Sequence, residues 1–323
     1  MKSLILSLSP NTSTDRVSVV ERFVPGEPAR TILSFDQAGG SGAHSTGVVQ
    51  ELGGEACSLV LLGSYNGERW IEAAKQQNLT YDFVRMDAAN RSTFVLIDRQ
   101  RGNVAEIIDP GPRVGPDIAG HLLTLIEKYL DHTGILILSG SLPPGIPDNF
   151  YVQAIDLARR YDVKTLVDAS TSPLKHALTA RPWAIKPNLF EFHQIVGVET
   201  ATVSEHIEQL SRIVGVVADV VLLSLGQAGL LVGTIANVWH LTAPDQRFTL
   251  PGSNAINTVG CGDALVGGFC HQYVRSEDVL ESACWGIACA TVTLGNYGVP
   301  SCPVDQVSAL VEDIGVSAVA PKS

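Results

Sequence analysis

One segment of the 323-residue chain gathers the residue types that anion binding and proton transfer need: Asn257-Thr258-Val259-Gly260-Cys261-Gly262-Asp263-Ala264-Leu265-Val266-Gly267-Gly268-Phe269. Glycines at 260 and 262 allow close backbone approach and positive φ. The apolar run behind them has helix length, so the free N–H groups at its start would face a bound anion. Asp263, at that start, is placed to take the proton of an attacking hydroxyl, while the positive helix end stabilises charge on a transferring phosphoryl group. Taken alone, Gly-x-Gly-Asp also reads as a turn whose Asp caps a helix.

Four further segments carry chemistry-bearing residues: Gly39-Gly40-Ser41-Gly42, Ser139-Gly140-Ser141-Leu142-Pro143-Pro144-Gly145, Lys186-Pro187-Asn188-Leu189-Phe190-Glu191 and Ser224-Leu225-Gly226-Gln227-Ala228-Gly229. Asn188 followed by Glu191 is the spacing of a helix capping box. With the run at 257–269, these segments resemble, in order, the motifs of the PfkB (ribokinase-like) carbohydrate kinases, with Cys261 where that family usually has Ala. The resemblance spans almost the whole chain and implies a ribokinase-like fold using ATP and Mg²⁺. Asp263 would be the base within a Gly260, Cys261 and Gly262 anion hole. Lys186, Asn188, Ser224, Gly226, Gly229 and Thr258 would meet the nucleotide. Asn188 and Glu191 would position Mg²⁺ through its waters, a role compatible with capping.

Pro10-Asn11-Thr12-Ser13-Thr14-Asp15-Arg16, Pro25-Gly26-Glu27, Asp109-Pro110-Gly111-Pro112 and Asn257 are similar to the 1-phosphofructokinase and tagatose-6-phosphate kinase branch. That branch implies a phosphosugar acceptor held by Asp15, Gly39, Gly40, Ser41, His44, Ser139 and Arg91. Arg91 would grip the phosphate through a charge-assisted contact, although a lone Arg beside a turn is also ordinary solvated surface. The branch reads Gly-Gly-Lys-Gly-x-Asn where this chain has Ser41 for Lys and His44 for Asn. Loss of a cation beside a phosphate removes about 1.5–3 kcal/mol, roughly ten- to a hundredfold in affinity. His44 can donate to a phosphate or hydroxyl and gain charge beside an anion, or can be simply hydrogen-bonded structure.

The elements that must position these residues alternate. Short apolar runs at Leu4–Leu8, Leu59–Leu62, Ile135–Leu138, Thr165–Val167 and Val220–Leu223 read as buried parallel strands. Helix-length segments between them include Ser45–Leu52, Ile118–Tyr129, Asn149–Tyr161 and His206–Val214, with Asp263–Tyr273 and Val279–Leu294 towards the end. The expected fold is one α/β domain over residues 1–323, a doubly wound, mostly parallel sheet. A small β-sheet lid is expected from about 13–35 and 83–110, because Thr93–Asp98 and Asn103–Ile108 flank a turn.

Composition narrows the partners. The chain is 45% hydrophobic and 17% charged with a formal charge of -11, and no segment mixes basic and aromatic residues as a nucleic-acid surface would. Neither a nucleic acid nor a membrane is expected, since no apolar stretch reaches about 18 residues and MKSLILSLSP is too short for a secretion signal. The chain is expected to be cytoplasmic; the family resemblance, and not composition, implies a sugar or sugar phosphate as small-molecule partner and a β lid through which such chains form a homodimer. Six cysteines without zinc-ligand spacing read as buried free thiols. The departures at Ser41 and His44 keep an unphosphorylated sugar, nucleoside or small alcohol open as acceptor, and a weakened binding or regulatory protein is the reading from another class. A Rossmann dehydrogenase is set aside, because the first strand runs into Pro10-Asn11-Thr12 and not G-x-G-x-x-G.

Overall fold

A computed structural model describes residues 2–244, 248–253 and 255–319. In chain order the strands and helices are β1 (Leu4–Ser9), β2 (Ser13–Val20), β3 (Thr31–Ala38), α1 (Ser41–Glu51), β4 (Ala56–Leu62), α2 (Asn66–Gln76), β5 (Tyr81–Arg85), β6 (Arg91–Asp98), β7 (Asn103–Ile108), α3 (Ile118–Glu127), β8 (Thr133–Ser139) and α4 (Phe150–Arg160). They continue with β9 (Lys164–Asp168), α5 (Thr171–Ala177), β10 (Ala184–Ile185), α6 (Leu189–Val196), α7 (Val203–Ile213), β11 (Val220–Ser224), β12 (Leu230–Thr234), β13 (Val238–Thr242), α8 (Cys261–Ser276), α9 (Val279–Thr293), α10 (Val304–Val311) and β14 (Gly315–Val319).

The large sheet has the order β14-β13-β12-β11-β10-β9-β8-β1-β4-β5. From β11 to β5 every neighbouring pair is parallel, and β12 to β14 extend it antiparallel. Both faces are covered, which is why the central strands are apolar throughout instead of alternating. One apolar layer joins the sheet to Leu122, Ile126, Phe150, Phe192 and Leu210 of α3, α4, α6 and α7. The opposite layer joins it to Val48, Val266, Phe269, Ile287 and Leu310 of α1, α8, α9 and α10. This is the doubly wound α/β architecture expected from the alternating pattern.

A second sheet, β3-β2-β6-β7, stands apart. Val17, Val19, Val95 and Ile97 pack beneath it with Leu250 and Ala255 from the distant C-terminal half. Its extent differs from the expected one at two ends. Residues 83–85 lie in β5, which pairs with β4 at the edge of the large sheet, and β3 continues to Ala38. An edge strand is only half-buried, so β5 lacks the continuous apolar run that marks the central strands. The same reason hides β14, whose residues are mostly exposed.

Among the described residues no helix is long and apolar enough to cross a membrane. All six cysteines are unpaired; Cys57, Cys270, Cys289 and Cys302 are buried and Cys261 and Cys284 half-buried.

His271 of α8 is 3% exposed, packed near Trp285 with ring centroids 6.0 Å apart. Burial, helped by the charge of Arg275, pushes its pKa down to about 4 from the ordinary 6.5. The folded chain therefore keeps His271 neutral where the unfolded chain binds a proton. Its contribution to stability is complete above pH 6.5 and is lost as pH falls through about 4. Denaturant midpoints of the wild type and His271→Gln between pH 7 and 4 check this: the variant should show the shallower decline over that window.

Candidate active site

The glycine loop ends at Gly260, which caps α8 with φ 81°. A Cβ there would come within 2.8 Å of Pro300, so this turn requires glycine on both conformational and steric grounds. Asn257, fully buried, fixes the loop's entry: its amide nitrogen donates to the Asn296 carbonyl at 2.9 Å and its oxygen accepts from the Val259 N–H at 3.0 Å. Thr258 stands exposed at the lip. The backbone N–H groups of Gly262 and Asp263 have no acceptor among the described residues. These are the orphan donors of a helix start, aimed out of its N-terminus.

One expectation changes here, and one alternative reading falls away. Gly262 is helical and not at positive φ; its missing Cβ instead leaves room beside Lys186, whose Nζ would lie 3.3 Å away. Asp263 does not cap the helix, since no side chain does. Its Oδ2 accepts a hydrogen bond from His44 Nδ1 at 2.8 Å. The Cys261 thiol donates to the Asn257 carbonyl at 3.7 Å, and burial pushes its pKa up to about 12, which leaves it protonated and inert as a nucleophile.

The wall of the cleft facing this loop is built by β2, β3 and the start of α1. Gly40 caps α1 with φ 111°, and the Ser9 hydroxyl accepts the Gly42 N–H at 2.7 Å. Ser41, half-buried, opens the first turn. Asp15 lies 7% exposed with Oδ1 accepting from the Ser13 hydroxyl at 2.6 Å. Burial raises its pKa against the opposing charge of His44. Gly39 is required by this carboxylate, because a Cβ would stand 2.2 Å from its carbon. A cleft between the two sheets is lined by Asp15, Gln37, His44, Asn257, Gly260 and Tyr297.

Arg91, at the start of β6, is more than solvated surface. Its Nε donates to the Asn11 carbonyl at 2.9 Å and its Nη1 to the Asp109 carbonyl at 3.4 Å. Burial lowers its pKa, while Asp15, Glu106 and Asp109 hold it charged. Ser139, the last residue of β8, is 1% exposed and its hydroxyl donates to the Leu8 carbonyl at 3.3 Å.

Across the glycine loop, Lys186 follows β10 and pairs with Asp168 at the end of β9, Nζ to Oδ1 3.0 Å. Burial pushes Asp168 up to about 6, with Lys186 pulling against it and Asp263 and Glu191 adding to it. Burial works against the charge of Lys186, but Asp168, Glu191 and Asp263 outweigh it and raise its pKa. Asn188 and Glu191 form the complete capping box of α6, both bonds 2.9 Å. That box engages Asn188 Oδ1 and Glu191 Oε2, leaving Glu191 Oε1 for other partners. Asn188 bridges to Ser224, whose N–H donates to the Pro187 carbonyl at 3.1 Å. Gly226 and Gly229 turn the chain after β11 at φ 60° and 96°. At Gly229 a Cβ would meet the Leu241 carbonyl oxygen at 2.0 Å.

Asp263, Lys186, Asn188, Glu191, Ser224, Asp15, Gly39, His44 and Arg91 are thus brought to one end of the large sheet and the cleft beside it. Residues 11–306 match the pfkB family carbohydrate kinases. The chain belongs to this family. It is a phosphotransferase acting on an alcohol group, and a kinase of this family uses ATP. Among similar proteins, a 1-phosphofructokinase of Vibrio cholerae is 28% identical over 322 residues, covering 99% of each chain. A 1-phosphofructokinase of Rhodobacter capsulatus is 28% identical over 318 residues, 98% of each. Phosphofructokinase-2 of Escherichia coli in complex with potassium has the same fold, with a TM-score of 0.87 at 24% identity over 96% of this chain and 99% of that one. So does a possible 1-phosphofructokinase of Thermotoga maritima, with a TM-score of 0.88 at 22% identity over 98% of this chain and all of the other.

Sequence reading missed Asp168, Glu106 and the structural part of Asn11. Asp168 had a readable signal, an acid ending the buried run Leu166-Val167. Glu106 had none, because only the pairing of β7 with β6, itself paired with β2, brings its charge near Asp15. The tight contact at Gly39 yields a direct test. Gly39→Ala must displace the Asp15 carboxylate, and a shift of about 1 Å costs roughly a hundredfold. Steady-state kinetics should show acceptor kcat/KM lowered by about that factor while the KM for ATP stays within about twofold.

Proposed function

We propose that this kinase transfers the γ-phosphoryl group of ATP to a hydroxyl of a sugar phosphate, with Asp263 as general base. The observation that carries the reading is the position of Asp263 at the α8 mouth, where the orphan N–H groups of Gly262 and Asp263 adjoin the cleft lined by Asp15 and His44. A hydroxyl in that cleft loses its proton to Asp263 while the N–H groups meet charge developing on the phosphoryl oxygens. Lys186, held beside Gly262, supplies a cation on the nucleotide side. Arg91 is the cation available to a phosphate on the acceptor, and the 1-phosphofructokinase relatives support a phosphosugar.

Among the described residues, no three His, Cys, Asp or Glu side chains are gathered to hold a metal ion. The donor set suits Mg²⁺ carried in on the nucleotide, with Glu191 Oε1 and the Asn188 amide reaching its waters. When bound, Mg²⁺ neutralises charge on the phosphates. The small sheet acts as a lid that excludes water from the transfer.

A second reading has a specific observation behind it. The acceptor cleft carries Asp15, Glu106 and Asp263 against Arg91 and His44, and Ser41 adds no cation. This balance favours an unphosphorylated sugar or other small alcohol. A screen of ATP consumption over phosphosugars, sugars and nucleosides separates the two. Turnover of a ketohexose phosphate is expected, with Asp263→Asn lowering kcat by roughly 10²–10⁴-fold. Turnover confined to unphosphorylated acceptors establishes the second reading, and none with any acceptor leaves a binding protein.

The small sheet also supports a homodimer. Phe94 and Ile107 face each other in register on its outer side, 48% and 64% exposed, an apolar pair that a second copy would cover. Light scattering should find a dimer for the wild type and a monomer for Phe94→Glu.

A further inference from the structure

His44 stands where the resembled branch has Asn, and a proton-bearing ring there changes what the base experiences. It is 9% exposed. Nδ1 donates to Asp263 Oδ2 at 2.8 Å, while Nε2, buried and without a hydrogen-bond partner, lies 3.7 Å from Asp15 Oδ2. The ring therefore spans the two carboxylates of the cleft. Because Oδ2 is engaged, Oδ1 of Asp263 is the oxygen left to face an acceptor hydroxyl.

We propose that His44 is the positioning residue of this kinase's base: it fixes the Asp263 carboxylate and supplies the positive charge that lets Asp263 and Asp15 stay ionised together. The proposal rests on the reading of Asp263 as base. In the reaction the acceptor O–H proton passes to Asp263 as the new O–P bond forms and the bond from the γ-phosphorus to the ADP oxygen breaks. The ring keeps its own proton throughout.

Two carboxylates in one buried site cannot both remain charged without compensation, because each raises the cost of ionising the other. The charged groups around the ring are Asp263 from α8, Asp15 from β2 and Glu106 from β7. Arg91 of β6 acts on Asp15 and Glu106, and Lys186 feels Asp263 from the nucleotide side. The strands that α1 covers add no competitor: β1 and β8 have no charged side chain, and β4 contributes only Cys57. Burial opposes a charge on His44, but the hydrogen bond and charge of Asp263, with Asp15 and Glu106 behind them, outweigh it and raise its pKa. Asn at this position offers a hydrogen bond and no charge.

The test is the pH dependence of acceptor kcat/KM for the wild type and His44→Asn. Without the cation, a proton enters the carboxylate pair at higher pH, so the acid limb should move up by about one unit. The variant should then lose roughly tenfold more activity at pH 6 than at pH 9, with the KM for ATP unchanged. A uniform loss at every pH, or superimposable profiles, overturns the proposal. A second measurement needs no turnover. In ¹⁵N-histidine spectra, with the His44 signals identified by their loss in His44→Asn, the ring should stay doubly protonated above pH 6.5, the ordinary imidazole value. Asp263→Asn should bring its titration down by about one unit. A His44 that titrates at or below pH 6.5, or is unmoved by Asp263→Asn, also overturns it. If the wild type phosphorylates no alcohol, the kinase reading fails by itself and the spectra still decide the pair.

Discussion

The seating of α1 on α8 is the constraint on which the site depends. The two helices approach so closely at Gly267 that a Cβ there would lie 2.8 Å from the Ser45 carbonyl and 2.9 Å from Val48. The Ser45 hydroxyl donates to the Asp263 carbonyl at 3.0 Å, and the preceding residue, His44, reaches the Asp263 carboxylate. Acceptor side and nucleotide side come from segments far apart in the chain, and this helix pair holds them in one geometry. A methyl group at 267 would act on the chemistry without touching any ligand.

Charge is distributed unevenly around this contact. The chain as a whole is acidic, yet among the described residues cations gather at the site: buried Lys186 pairs with Asp168, buried His44 with Asp263, and half-buried Arg91 bonds backbone carbonyls beside Asp15. Buried ion pairs are poor sources of stability, because desolvation consumes most of their attraction. Their placement around the glycine loop makes sense as preorganisation for an anionic substrate, where the cost of ordering charge is met during folding.

What the sequence made legible follows from how local each signal is. The central strands were visible because both of their faces are covered, and the Gly260 turn and the Asn188–Glu191 box because their bonds join near neighbours in the chain. β5 and β14 were hidden by exposure, which removes the apolar run. The conformation of Gly262 was misjudged: a local reading offered positive φ, whereas Lys186, supplied by a distant segment, decides what that position does, and the bond from His44 to Asp263 was equally out of local reach. Asp168, Glu106 and the bond from Ser139 to Leu8 depend likewise on contacts across the sheets.

The small sheet's core carries a consequence for the order of assembly. Its strands come from the N-terminal third of the chain, yet the apolar face of Val17, Val19, Val95 and Ile97 is closed by Leu250 and Ala255. During synthesis these strands leave the ribosome with that face uncovered and wait for most of the remaining chain. Contacts of such long sequence separation form late and slowly, so the wall bearing Asp15 should be among the last parts to become rigid. Until then the nascent chain presents an unfinished sheet to which chaperones, or the same strands of a neighbouring chain, can bind.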